Sequence, residues 1–549
     1  MHHKINYIIF ILLSITFSNC SNEISQDKRK VFRYNESKGI ATLDPAFAKN
    51  QTIIWANNQL FNGLVKLDDS LNIVPCIAKN WEITENGKLY RFFLRKDVFF
   101  HKHKLFLNNN TRKVVASDFV FSLNRIIDTD VASPGAWIFN NVDKHAKNTK
   151  NGFSAPNDTT IEIILKTPFP AFLGLLSMQY CSVVPKEIVA YYGEDFRENP
   201  IGTGPFKFKY WKEGEKLIFI KNENYFETDF NNEKLPYLDA ISISFINDKQ
   251  SEFLEFIKGN LDFLSSIDAS YKDELITRNG MLNQKYSDRI AMIKQAYLNS
   301  EYLGFMLDTN KISFNNILRI KEIRQAINYG FDRKKMIRYL RNNIGIPANA
   351  GFVPKGMANY SKTSVNGYKY DPKKAQELLD SAGFPNGTNL PTITLTTTSS
   401  YIDLCEYIQH QLSQIGVKIK IEIGTGASFL DMVANSKLEF FRGSWIADYP
   451  DPENYMALFY SKNHSPNGPN YTHFNNPEFD SLYEKAMNEL NDSVRFQLYK
   501  TMDQIIIDEA IIVPLFYDES VRFISKNVKG MRNNPLNLLN LLHVNKTNN

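Results

Sequence analysis

Three observations predict a multi-domain α/β protein. The chain has 549 residues, more than a single hydrophobic core holds, so two or three domains are expected. From about Ile320 onward helical and strand patterns alternate, as in a lobe built on a sheet covered by helices. Residues 31–245 read instead as short strands and hairpins with a few helices between them. Hydrophobic residues make up 43% and charged residues 22%, the balance of a globular protein. Forty Phe and 27 Tyr suit large apolar interfaces or ligand-lined clefts as well as a thick aromatic core. The net charge of +5 is spread over both signs with no dense Lys/Arg run, which gives a nucleic-acid partner no electrostatic support.

The elements follow in order. Met1–Lys4 is polar and basic, Ile5–Phe17 is almost wholly apolar, and Cys20 stands where the sequence turns polar. The apolar run is shorter than the roughly 20 residues of a membrane span, and reads as a signal peptide over residues 1–20. Cys20 resembles the acylated cysteine of bacterial lipoprotein signals, although Phe17 and Asn19 depart from the usual Leu and Gly or Ala. Simple secretion with an incidental cysteine is the alternative. Residues 21–30 form a polar tether. Of the remaining thiols, Cys76 and Cys181 are the favoured pair for any disulfide, and buried free thiols are the alternative.

Val31–Tyr34 predicts a strand, Thr52–Phe61 a helix ended at Asn62-Gly63, and Leu64–Leu67 a strand. Trp81–Thr84 and Leu89–Leu94 flank Asn86-Gly87, a hairpin signal, and Arg95–His101 continues as strand. Val115–Arg125 opens a helix with Ser117 at its N-cap and Phe119, Leu123 and Ile126 on one face. Thr160–Leu165 is a strand and Ala171–Met178 a helix. Gly202-Thr-Gly204 leads into the strand Phe206–Trp211 and lacks a following Lys-Ser/Thr, so it is no phosphate loop. Lys216–Lys221 and Ile241–Phe245 are strands, and Gln250–Lys258 is a helix. In the second half, Ile320–Leu340 is a long amphipathic helical region. Helices then follow at Asp371–Leu379 and Ile402–Ile415, and strands at Thr392–Thr397 and Val417–Ile423. Phe479–Glu489 and Val494–Glu509 close the helices; Ile511–Phe516 and Ser520–Phe523 return to strand. His101 and His103 read as surface residues, and His464 and His473 lie in polar loops.

The stretch Phe440–Asn454, F-F-R-G-S-W-I-A-D-Y-P-D-P-E-N, carries the chemistry. Leu438–Phe441 is a buried strand, and Pro450 and Pro452 stop any regular element. Trp445 and Asp448 thus stand where the strand opens into a rigid loop. An aromatic face beside a lone carboxylate suits a cationic, partly apolar ligand; a buried Trp with an Asp capping the next turn is the structural alternative.

Several blocks together resemble one family. Pro75-x-x-Ala78-x-x-Trp81 and Tyr90-x-Phe92-x-Leu94-Arg95-x-Asp97-Val98-x-Phe100-His101 look like its signature stretch. Ala116-x-Asp118-x-Val120-x-Ser122-x-x-Arg125, Gly202-Thr-Gly-Pro-Phe206 and Arg324-Gln-Ala-Ile-Asn-Tyr-Gly-Phe-Asp-Arg333 follow. Trp445-x-x-Asp448-x-x-x-Pro452 matches its ligand loop, and Asn475-Pro477-Phe479-Asp480 its N-x-x-F-D segment. In this order, from about Val31 to the C-terminus, they are similar to the family 5 extracytoplasmic solute-binding proteins of ABC importers, the oligopeptide and dipeptide binders. The departure is His101-Lys-His-Lys104, where the family has an H-D-G turn.

The resemblance implies a periplasmic-binding-protein type II fold, a Venus flytrap of two lobes plus an extra inserted α+β domain. Lobe I would comprise 31–64, 199–297 and 511–549, the inserted domain 65–198, and lobe II 298–510. It implies capture of short peptides in the interlobe cleft and delivery to a membrane permease powered by an ATPase. Asp448 would take the peptide amine, Trp445 would wall a side-chain pocket, and Arg442 would meet the carboxylate. Arg442 should face away from Trp445 by strand alternation unless Gly443 kinks the strand. Tyr449 and Asn454 are nearby candidates, and Tyr302 would line the hinge side. No cofactor, metal or nucleic-acid partner is expected, and the protein would be a monomer. It would be exported and lipid-anchored at Cys20, facing the periplasm or cell exterior. Relatives of the same fold bind nickel, haem or oligosaccharides. A hydrolase is the competing class, but no G-x-S-x-G or metal-protease helix is present, and Ser444 beside Gly443 lacks the flanking pattern.

Overall fold

The computed structural model describes residues 29–107, 110–265, 268, 270–311, 316–357, 360 and 365–547. The expected signal peptide, Cys20 and most of the expected tether lie outside them. Strand β1 (Val31–Asn35) alternates buried Phe32 and Tyr34 with more accessible neighbours. The helix Gln51–Leu60 follows, capped by the Asn50 side chain, which accepts the Ile53 amide at 3.2 Å. β2 (Val65–Leu67) pairs with β3 (Ile73–Pro75). β4 (Ala78–Thr84), β5 (Leu89–Leu94), β6 (Phe153–Asn157) and β7 (Thr160–Ile164) make an antiparallel sheet in the order β4-β5-β7-β6. β8 (Phe206–Lys212), β9 (Lys216–Lys221) and β10 (Ala240–Ser244) join β1 in the order β1-β10-β9-β8, with β1 parallel to β10.

The largest sheet holds β11 (Phe263–Ser265), β12 (Ile290–Phe305), β13 (Ile346–Pro347), β14 (Ile393–Thr397), β15 (Ile419–Ile423), β16 (Phe440–Ile446) and β17 (Ile512–Ser525). Its order is β11-β17-β12-β16-β14-β15, and β13 pairs with β17. β12 and β17 are its long members, and β12 passes unbroken through residue 298. Their antiparallel register slips twice, between Ala296 and Ser300 and between Glu301 and Tyr302. β18 (Val528–Lys529) and β19 (Asn545–Lys546) form a terminal pair. Helices cover both faces. Leu303, Phe305, Val513 and Leu515 pack on one side with residues of the helices Lys321–Tyr329, Arg333–Leu340 and Ile402–Ser413. Tyr302, Phe441 and Ile512 pack on the other with residues of Pro477–Asn488 and Asp492–Asp508. Period-two alternation on β12 and β17 thus serves two cores at once.

Several expectations are corrected. Arg95–His101 does not continue as strand: only Phe99 bridges, to Lys113, because the Arg95 guanidinium turns onto Asp97 at 2.7 Å and the His101 amide donates to Gly202 O. Ser117 is not the N-cap. The helix Ala116–Ile126 is closed by Asp118, whose carboxylate accepts the Val115 amide at 2.9 Å. The helical region 320–340 is two helices, divided where the Asp332 side chain caps the second by accepting the Lys335 amide. The two final strands are one, β17. Cys76, Cys181 and Cys405 are all free and buried.

His101 is also not at the surface. It is 3% exposed, its Nε2–H donates to Gly204 O at 3.0 Å, and its Nδ1 accepts the Gly202 amide. The Gly-Thr-Gly block is explained by close packing: a Cβ on Gly202 would lie 2.0 Å from Leu60 O, and one on Gly204 2.4 Å from Leu60 C. His464 and His473 stack at 4.6 Å between ring centroids, and His473 is buried.

Candidate functional site

Strand β16 extends further than its apolar start predicts, through Gly443, Ser444 and Trp445 to Ile446. It can do so because it has a full partner: Phe440 to Ile446 pair with Phe305 to Asn299 of β12 without a slip. Gly443 opposes Tyr302 and Gly304 opposes Phe441. Each glycine is roofed by the opposing ring, so that an added Cβ would meet Tyr302 Cζ at 2.5 Å or Phe441 Cζ at 2.6 Å. Gly443 therefore makes room for an aromatic ring and does not kink the strand.

With the alternation intact, Trp445 and Arg442 face opposite sides. Trp445 turns to the side of Tyr302 and Phe441. Its indole N–H donates to Asn454 Oδ1 at 2.8 Å, and the same oxygen accepts the Asp448 amide at 3.3 Å. Trp445, Asp448 and Asn454 are thus one cluster, with buried Asn454 as its organiser. The loop turning the chain is fixed from behind. Asp451 accepts from the Glu453 amide and pairs with Arg495 at 3.0 Å, and Glu453 accepts from the hydroxyls of Tyr449 and Tyr483. Tyr449 is buried, packed under Gly174 and beside Trp137. That position ties the loop to the 65–198 stretch.

Asp448 is exposed to solvent, yet protein crowds around it enough that desolvation raises its carboxyl above the ordinary range, with Asn454 opposing the rise. Among the described residues no cation pairs with it. Arg442 stands on the other face, where it forms an ion pair with Glu301 and lies over the Tyr401 ring at 3.3 Å. Tyr302 is buried, its ring edge-on to Phe352.

A cleft of about 740 Å³ opens between the two halves of the chain. Glu36 and Trp55 line it from the N-terminal part, Tyr297 and Asp518 from the long strands, and Arg341 and Tyr401 from the second half. None of the six side chains expected at the site lies on its wall. Arg442 reaches it through Tyr401. The Asp448 cluster neighbours it at Tyr297: the Ala447 amide and the Tyr455 hydroxyl both donate to Leu298 O, at 2.9 and 2.7 Å. The sequence reading missed Glu36, Arg341 and Tyr401. Arg341 ion-pairs with Asp518 at 2.5 Å across the cleft edge. Glu36 was within reach of sequence, because Phe32, Tyr34 and Glu36 continue one alternating face of β1.

The model of the bacterial extracellular solute-binding proteins, family 5, matches residues 72–467. The chain belongs to this family. As a family 5 solute-binding protein, it is 28% identical to heme-binding protein A of Haemophilus influenzae over 94% of this chain and 92% of that one. It is 25% identical to the dipeptide-binding protein DppE of Bacillus subtilis, over 97% and 96%. The structure of the periplasmic binding protein DppA of Helicobacter pylori, in complex with the peptide STSA, superposes with a TM-score of 0.74 at 27% identity, over 96% of this chain and all of that one. The family 5 fold of two lobes and mixed α/β sheets is thereby established. No helix among the described residues is long and apolar enough to cross a membrane.

Proposed function

We propose that this family 5 protein is the extracytoplasmic peptide-binding component of an ABC importer. The lobes 31–64 with 199–297 and 511–549, and 298–510, close on a short peptide, and residues 65–198 form the inserted domain. The closed form docks to the permease, and the ATPase supplies the energy. The protein acts as a monomer, catalyses nothing, and is held at the membrane by lipid on Cys20, facing the periplasm or cell exterior.

The observation that carries the reading is Asp448: a carboxylate reached by solvent, crowded by protein, held through its backbone amide to Asn454 beside the Trp445 ring, and without a cation among the described residues. A closing cleft that brings an α-amine there removes water from both charges and strengthens the pair. Peptide backbone is then read by strand-like hydrogen bonds, indifferent to sequence, with hydrated pockets for side chains. Arg442 is already neutralised by Glu301, so it meets a peptide carboxylate only by exchanging partners.

The H. influenzae relative's name favours haem as a second reading. Haem iron takes His, Cys, Met or Tyr, and the described residues lining the cleft offer only tyrosines. Mass spectrometry of whatever denaturation releases from the purified protein decides between them. A set of mixed short peptides, absent from Asp448→Ala, is expected; a single porphyrin, sugar or metal chelate overturns the peptide reading and leaves the fold.

A further inference from the structure

Glu36 follows β1 and, continuing the face of Phe32 and Tyr34, points into the cleft wall. It is 8% exposed. Among the described residues neither a hydrogen-bond donor nor a cation contacts its carboxylate. The surrounding charges are otherwise accounted for. From the helix Lys249–Ile257, Lys249 is paired with Glu252 at 2.6 Å; Lys38 is exposed and beyond ion-pair distance. Tyr34 lies buried beneath on the same strand. Across the cleft, Arg341 is paired with Asp518 and Lys272 donates to Leu340 O at 3.3 Å. A residue nine-tenths buried whose carboxylate, at the cleft wall, has no protein partner is a costly arrangement, and a cation arriving in the cleft would offset that cost.

We propose that Glu36 is a specificity-determining residue that receives a basic side chain, so the ligands this protein favours are short peptides carrying Lys or Arg. This rests on the peptide reading above and adds a second charge contact to the amine site at Asp448. Burial, and then the neighbouring Glu252, raise the Glu36 carboxyl to about 7, against the smaller pull of Lys249 and Lys38. At neutral pH a basic side chain therefore displaces a proton when it binds.

Calorimetric titration of the purified protein at pH 7 with Ala-Ala-Ala and Ala-Lys-Ala, in buffers of different ionisation enthalpy, tests this. Ala-Lys-Ala is expected to bind at least about tenfold more tightly and to release about half a proton more than Ala-Ala-Ala. Glu36→Gln should remove both differences, so that it binds the two peptides with equal affinity and equal proton release. The wild-type proton count needs no variant, so it stands as a test even if Glu36→Gln folds poorly. Equal binding of the two peptides by the wild type, or a lysine preference that survives Glu36→Gln, overturns the proposal and leaves peptide binding standing. Failure of both peptides to bind removes the two readings together.

Discussion

At the scale of single residues, the buried imidazole of His101 carries a pH dependence. Both ring nitrogens are committed, one donating to Gly204 O and the other accepting the Gly202 amide. A second proton would break the latter bond. Burial lowers the folded-state value from 6.5 to about 4, so the unfolded chain takes the proton more readily. The stabilisation from a neutral His101 is full above about pH 6.5 and disappears as pH falls towards 4, a loss of about 3 kcal/mol. Urea unfolding across that range should show this slope, and His101→Gln should flatten it. The histidine itself was plain in the sequence, but its burial was not. His-Lys-His-Lys alternates charge as an exposed strand would, whereas the local Arg95–Asp97 contact and Gly202, 101 residues along the chain from His101, decide that the chain turns inward.

At the scale of elements, β16 and its loop show where sequence patterning stops being informative. The strand was expected to end at Phe441, since Gly443 and Ser444 have little strand propensity. It persists because Tyr302 and Phe441 each roof a glycine on the opposing strand, a pairing visible only once the register is known. Gly443→Val should displace the Tyr302 ring and cost about 1–3 kcal/mol, read as a lowered Tm. The acid, the Trp and the two prolines of the loop were legible, and so was the alternation that sets Arg442 apart from Trp445. The supports behind them were not: Arg495 lies 44 residues beyond Asp451. Arg495→Ala leaves the buried carboxylate of Asp451 without its cation and should cost about 3–5 kcal/mol in urea denaturation. Peptide affinity should fall with it, because the turn that places Asp448 loosens.

At the scale of the molecule, local pattern located β14 to β17 and most of the helices on the large sheet but not its long strand β12, nor β11 and β13, and six ordered blocks pointed to the fold. The residues of the cleft wall were not picked out from sequence, since the wall is assembled from segments hundreds of residues apart: Glu36, Arg341 and Asp518 have no common sequence signal. The long strands β12 and β17 bring both halves into one sheet, and the slips in their ladder fall beside Tyr297, Leu298 and Asn299. For the closure proposed above, a hinge seated there would separate strength of binding from choice of ligand. The measured Kd is the intrinsic one divided by the fraction of molecules able to close. Asn299, which donates to Glu301 Oε1 at 3.0 Å and to Asp518 Oδ2 at 3.4 Å, sits at the slip and is not itself one of the expected ligand-binding residues. Asn299→Ala should therefore multiply the Kd of every peptide in a panel by one common factor and preserve their order. Such a protein can be retuned to scarce or plentiful nutrient by changes in the ladder alone, while what it selects stays as it was.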